Sequence, residues 1–304
     1  MPQSAFRSTT FLRSIQRVAT PLLLLLVLHA CKFDPKPRKP YAFFVAGHSY
    51  GHPDSARNLM GLYPPFVREL DTIAQWPHMT TGFLTGDVVA DPTPARMEAV
   101  TSQLSKLPFK VQGIPGNHDV ATPEGRKVWE REFGTGNDWL VIGGDLFIRL
   151  DVNATGWVVT PDQLKMMKAA LDRPIAWRNC FVFVHQVLWW HPDPSHKAHG
   201  PHLYPNSEEG RAPQLNFWEE VMPLLQKPNR PVYVFAGDVG VWCKGNEISF
   251  HQEGNVRLIA SGMGCPTASN YLVAEVDSMA QVHFTLRALQ GSPSSMGTLE
   301  DHSW

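Results

Sequence analysis

Cysteine is scarce in this chain, with four residues among 304, too few to staple a disulfide scaffold. Charge of one sign is lacking as well: 27 Lys and Arg stand against 28 Asp and Glu, a formal net charge of −1. No global field therefore recruits nucleic acid or an anionic surface, and there is no nucleic-acid-binding signature. No apolar run reaches the roughly 20 residues of a spanning helix, and no internal repeat is visible. What is present is ordinary globular composition, 43% hydrophobic and 18% charged, enough for one large α/β domain or two small ones. Histidine stands out, at thirteen residues.

Residues 1–31 read as a targeting segment. Arg7, Arg13 and Arg17 precede an apolar stretch from Pro21 to Ala30, and Cys31 follows. A basic region, a short apolar core and a small residue before the cut make a secretory signal. Leu28-His29-Ala30-Cys31 resembles a bacterial lipobox, which implies acylation of Cys31 and a lipid-anchored protein on the extracytoplasmic side of the cell envelope; an ordinary signal peptide or a short anchor is the alternative. Residues 32–40 (KFDPKPRKP) read as a Pro-rich basic tether. Cys243 and Cys265 follow strands expected to be neighbours and are the expected disulfide pair, with Cys180 a buried thiol. Residues 291–304 read as a loose tail.

Between them, residues 41–290 alternate short apolar runs with helical patterns. Tyr41–Ala46, Gly82–Thr85, Phe109–Ile114, Phe181–Val184 and Pro231–Ala236 are rich in valine and aromatics and bounded by Gly or Pro, as buried strands are. Leu146–Leu150, Val256–Ala260, Tyr271–Val276 and Val282–Leu286 add further strands. Phe66, Val67, Leu70, Ile73 and Ala74 share a helical face, as do Met97, Val100 and Leu104. Thr160-Pro161-Asp162-Gln163 offers a capping box ahead of Leu164, Met167 and Leu171. The sum is a layered α/β or α+β sheet protein. Trp189 to Asn216 is a long irregular excursion bearing His191, His196, His199, His202 and Tyr204; such a connection reads either as a solvated loop or as a lid beside a site.

Each of the first five strands runs into a polar residue: Gly47-His48, Gly86-Asp87, Gly116-Asn117-His118-Asp119, His185-Gln186 and Gly237-Asp238. Ligands gather at the carboxyl ends of strands in layered α/β sheets, so these residues converge on one rim. A lone Gly-Asp means little; five in register point to a site.

In order and spacing these motifs resemble those of the calcineurin-like metallophosphoesterases, most sharply in Pro115-Gly-Asn-His-Asp-Val120 and the closing Asn270–Asp277. The resemblance implies a four-layer αββα sandwich of metallophosphoesterase type. It also implies two-metal hydrolysis of phosphoesters, with hydroxide attacking phosphorus in line and His118, near Asp119, serving as general acid. The chain departs from that pattern at two ligands of the first metal. Ala46 stands where the resemblance puts an Asp, and Gly240 where it puts the final His. Asp238 replaces the other His of the last motif and remains a competent ligand. Random decay would damage both positions, whereas here Asp87, Asn117, His185 and Asp238 keep four donors for the second metal.

The expectation is therefore one divalent ion per chain, Mn, Fe or Zn with Mg or Ca also compatible with so oxygen-rich a set. His48, freed from a metal, would bind a phosphate oxygen or relay a proton. His52 and Asp54 are the possible substitute ligands of a rebuilt first site, and absence of a functional metal is the third alternative. Trp189, Trp190 and Tyr204 are candidate substrate walls, and Asp151 is expected to support the rim. The expected partner is a phosphorylated small molecule, glycan or lipid head group, with the membrane reached through the anchor. A catalytically impaired metal- or ligand-binding scaffold is the alternative function.

Overall fold

The computed structural model describes residues 37–56, 60–173, 176–196, 200, 203–245 and 247–304. The targeting segment with Cys31, and His199 and His202 of the excursion, lie outside the described residues. The strands are β1 (Tyr41–Ala46), β2 (Met79–Thr85), β3 (Val111–Ile114), β4 (Asp138–Ile142), β5 (Asp145–Arg149), β6 (Cys180–Phe183), β7 (Val232–Ala236), β8 (Ile248–Glu253), β9 (Val256–Ser261), β10 (Asn270–Val276) and β11 (Val282–Ala288). The helices are α1 (Pro53–Ala56), α2 (Pro64–Ala74), α3 (Pro94–Leu104), α4 (Pro123–Phe133), α5 (Pro161–Leu171) and α6 (Met222–Gln226).

Two mixed sheets form, in the orders β11-β10-β1-β2-β3 and β4-β5-β6-β7-β9-β8. The β1, β2 and β3 strands are parallel, as are β5, β6, β7 and β9, and antiparallel strands flank each set. Parallel strands need cover on both faces, which is why every residue of β1 is buried. Phe43 and Val45 enter an aromatic layer between the sheets with Phe83, Phe147, Phe181, Phe183 and Phe235. Their alternates Phe44 and Ala46 pack on Phe66 and Leu70 of α2 and Met97 and Val100 of α3. On the far side, Met167 and Leu171 of α5 and Leu225 of α6 cover Val182, Val234 and Leu258. This is the four-layer αββα sandwich implied by the sequence motifs. Each buried large side chain contributes about 1.5–3 kcal/mol.

Several details differ from the sequence reading. The edge strands β4 and β8 and the helices α1, α4 and α6 were not expected. The expected tail is not loose: Leu299 is buried, Ser303 bridges Phe250, and Trp304 stacks on His251 while its indole N–H donates to Ser249 Oγ. An aromatic C-terminal residue thereby anchors the segment to β8. The end of the tether is also docked, because the Arg38 guanidinium donates to the carbonyls of Gly144 and Ala176.

Candidate metal centre

The carboxyl ends of β1, β2, β3, β6 and β7 meet at one rim, and glycine makes the meeting possible. A Cβ on Gly47 would lie 2.3 Å from the Ser261 carbonyl oxygen, and one on Gly237 would lie 2.0 Å from that of Thr85. Loops from the two sheets therefore touch backbone to backbone. His48 and Asp87 both take a left-handed backbone, each at φ 51°, a strain of about 1–2 kcal/mol per residue. Such strain persists where surrounding structure enforces it, commonly at functional sites. Here the His48 N–H donates to the Gly86 carbonyl and the Tyr50 N–H to that of Asp87, at 3.0 and 3.1 Å.

His185 fixes the centre. Its Nδ1 lies 2.8 Å from the Thr85 carbonyl oxygen, and only an N–H can sit there. In the neutral ring Nε2 is then a lone pair, and it faces Asn117 Oδ1 at 3.2 Å, Asp87 Oδ1 at 3.5 Å and Asp238 Oδ1 at 3.8 Å. Four acceptors converge with no donor among them. Both carboxylate oxygens of Asp238 are buried, and only the nearby backbone N–H groups of Ser207 and Asn206 favour their charge, with no well-aligned hydrogen bond. Burial and the neighbouring Asp87 push the Asp238 carboxyl well above its ordinary range. Burial works the same way on Asp87, but His185, His48, His118 and the His118 N–H outweigh it and hold Asp87 low. Buried, mutually repelling acceptors are costly unless a cation joins them. The set of Asp87, Asn117, His185 and Asp238 fits a divalent ion, with Thr85 orienting the imidazole behind it.

Among the described residues no comparable set surrounds His48. His48 Nε2 lies 3.4 Å from Asp87 Oδ2, while its Nδ1 is buried and unpartnered. Burial, against the pull of Asp87, takes His48 down to about 4, so the ring is neutral near pH 7. Gly240 sits at φ 100° with the Gly262 carbonyl oxygen 2.9 Å from any Cβ, so the local backbone does not admit a histidine. His52 and Asp54 join no metal-binding group among the described residues. Their side chains face each other at 3.8 Å, and Asp54 is largely exposed. Among the described residues two groups of His, Cys, Asp and Glu donors lie within metal-binding reach, and neither contains them. One is Asp87, His185 and Asp238; the other is Cys243, Glu247 and Cys265, whose thiols are consumed by the Cys243–Cys265 disulfide. That pairing is the expected one, and Cys180 is buried and free.

His118 is half-buried, with Nδ1 on the Ala90 carbonyl at 3.0 Å, which leaves Nε2 for proton transfer. Burial lowers its affinity for a proton, but Asp87 and the Ala90 carbonyl outweigh it and raise the pKa above the ordinary value. The Asp119 charge helps to raise the His118 pKa, but its oxygens are bonded to backbone N–H groups. Its Oδ1 accepts from the N–H groups of Val88 and Val89, and its Oδ2 from Gly116. It staples the loop carrying Asp87 to the loop carrying Asn117. Burial and the Asp87 charge push it up to about 7. Asp119→Ala orphans three buried N–H groups, so a loss of about 3–5 kcal/mol is expected, measured by denaturant unfolding.

The expected tryptophan walls are not walls of this centre. Trp189 and Trp190 are both buried in the helix-side core; Tyr204 is exposed. Asp151 supports the rim as expected, accepting from Arg126 and from Asn153, whose amide also donates to the Pro115 carbonyl.

Two residues were missed. The Tyr50 ring lies 4.3 Å from that of His48 and 5.2 Å from that of His118, and its position two residues after His48 was the available signal. Asn206 holds the Asp238 loop: its N–H donates to the Asp238 carbonyl, its Oδ1 accepts from Val241, and its carbonyl accepts from the Trp242 indole. Nothing in the excursion's composition signals that role.

No protein-family model and no curated protein sequence matches the chain. Solved structures align with it at low similarity. A purple acid phosphatase from yellow lupin (Lupinus luteus) seeds aligns at a TM-score of 0.49 and 12% identity, over 84% of this chain and 53% of that one. The NAD nucleotidase of Haemophilus influenzae aligns at 0.46 and 11%, over 83% and 50%. The phosphopantetheinyl hydrolase of Mycobacterium tuberculosis aligns at 0.41 and 13%, over 77% and 91%. The chain thus spans about half the length of the first two.

Proposed function

We propose that the chain is a phosphoester hydrolase of the extracytoplasmic cell envelope that works with one divalent metal held by Asp87, Asn117, His185 and Asp238. The observation that carries this reading is the convergence of four acceptors, one of them an oxygen of the buried Asp238, beside a half-exposed imidazole. The donor set fits Mn²⁺ or Fe²⁺ best, with Zn²⁺, Mg²⁺ and Ca²⁺ in range.

A divalent ion there would supply Lewis acidity toward a phosphoryl oxygen and make water a stronger acid at neutral pH. The chain's own residues do the rest. Thr85 fixes the His185 tautomer, and the Asp119 staple sets the separation of Asp87 and Asn117. As the oxygen of water bonds to phosphorus, releasing a proton to solvent, and the ester P–O bond breaks, His118 Nε2 delivers its own proton to the leaving oxygen. Neutral His48 sits beside Asp87 where a phosphoryl oxygen could accept its N–H. The substrate is a phosphorylated small molecule, glycan or lipid head group.

A binding scaffold is the second reading, favoured by the burial of His48, Asp87, His185 and Asp238, which leaves Asn117 and His118 as the half-exposed members of the site. Hydrolysis of phosphomonoester and phosphodiester reporters by the Mn²⁺-loaded protein separates the two. Metal-dependent turnover supports the hydrolase, and bound metal with no turnover on any ester supports the scaffold. The envelope assignment rests on Cys31. Cys31→Ser is expected to abolish labelling by a fatty-acid probe, and unchanged labelling refutes the anchor.

A further inference from the structure

A cavity of about 500 Å³ is lined by Trp190, His191, His196, Arg211, Glu219 and Glu220 among others. None of Asp87, Asn117, His185 or Asp238 lines it. Its centre of charge is Arg211, whose side chain is only 12% exposed. The guanidinium carbon lies 5.2 Å from the centroid of Trp190 and 5.9 Å from that of Trp157. Two indoles therefore hold the cation by cation–π attraction and fix the plane of its fork.

That fork is poorly used inside the protein. Arg211 Nε is buried without a hydrogen-bond partner. Nη1 faces Glu208 at 3.8 Å, and Glu208 is half-exposed, so the pair contributes little in water. Beside it, the His191 and His196 rings stack at 4.1 Å between centroids, two more groups able to donate an N–H. A buried donor left unpaired beside a roomy polar cavity is costly unless something fills it.

We propose that this cavity is an anion-binding site that takes the phosphate or carboxylate of a small organic molecule on the Arg211 fork, with His191 and His196 as flanking donors. Both oxyanions match the guanidinium geometry bidentately. Glu219 and Glu220 on the lining disfavour a polyanion and select one anionic group on a neutral or donor-bearing body. The cavity volume lies within the range of small-molecule sites, roughly 300–1,000 Å³. The proposal stands independently of the hydrolase reading.

Calorimetric titration with inorganic phosphate and, separately, with acetate tests it on wild type, Arg211→Ala, Arg211→Lys and Asp238→Asn. The expected result is a saturable event lost in Arg211→Ala, weakened about 10-fold in Arg211→Lys by loss of the fork, and retained in Asp238→Asn. Which of the two probes binds identifies the anion. Binding unchanged in Arg211→Ala, binding lost only in Asp238→Asn, or no saturable binding of either probe to wild type overturns the proposal. Should Arg211→Ala fail to fold, unchanged affinity in Arg211→Lys does the same.

Discussion

Asp238→Asn is expected to change thermal stability in opposite directions with and without metal. In the metal-free protein Asp238 is a buried acid next to Asp87, and burial and that neighbour outweigh the nearby Asn206 and Ser207 N–H groups and disfavour its charged form. Replacing it with an isosteric neutral amide removes like-charge repulsion and a desolvation cost, so the metal-free variant melts higher than metal-free wild type. With Mn²⁺ at about 1,000 times its Kd, wild type gains about 4 kcal/mol by linkage, on the order of 10 °C for a domain of this size. The variant loses most of that gain, because an amide oxygen is a weaker, uncharged ligand. Calorimetric scans of both proteins with and without Mn²⁺ read the crossing directly. Equal metal-induced shifts in the two proteins would remove Asp238 from the metal set.

His118→Ala carries the second large effect. Loss of a positioned general acid lowers turnover by about 10²–10⁴-fold. The loss falls on esters whose leaving oxygen needs a proton, so kcat for an alkyl phosphoester drops steeply while that for a nitrophenyl ester drops little. Metal content stays unchanged, because the His118 imidazole is bonded to the Ala90 carbonyl and is not among the converging acceptors. A uniform loss on both esters would assign His118 to substrate binding or to loop structure.

The rim was legible in the sequence because each of its strands is a short apolar run closed by a polar residue, preceded by Gly in all but the His185 strand. Parallel strands covered on both faces have no polar alternation to confuse the pattern, and β1 is entirely buried. Helix α5 was legible through Thr160 and Gln163, whose reciprocal cap is present. The same Thr-Pro start opens α4 at Thr122, where the cap also forms, so that helix carried a readable signal that was passed over. The edge strand β4 lacked one: all of its residues are half-buried or exposed, and it is anchored by the Asp138–Arg149 ion pair. The role of Asp119 depends on three backbone N–H groups, two of them about thirty positions away, which no local pattern encodes. The tryptophans were misplaced for a similar reason, since aromatic residues near a motif in sequence pack inward when the layer behind the strand needs volume.

The central claim is one metal per chain. Equilibrium dialysis of the purified protein against Mn²⁺, followed by elemental analysis, measures it directly in wild type and in Asp87→Asn. One equivalent in wild type, falling to near zero when Asp87 loses its charge, is the predicted result. Two equivalents in wild type would mean that the first position is filled despite Ala46 and Gly240, and would contradict the account.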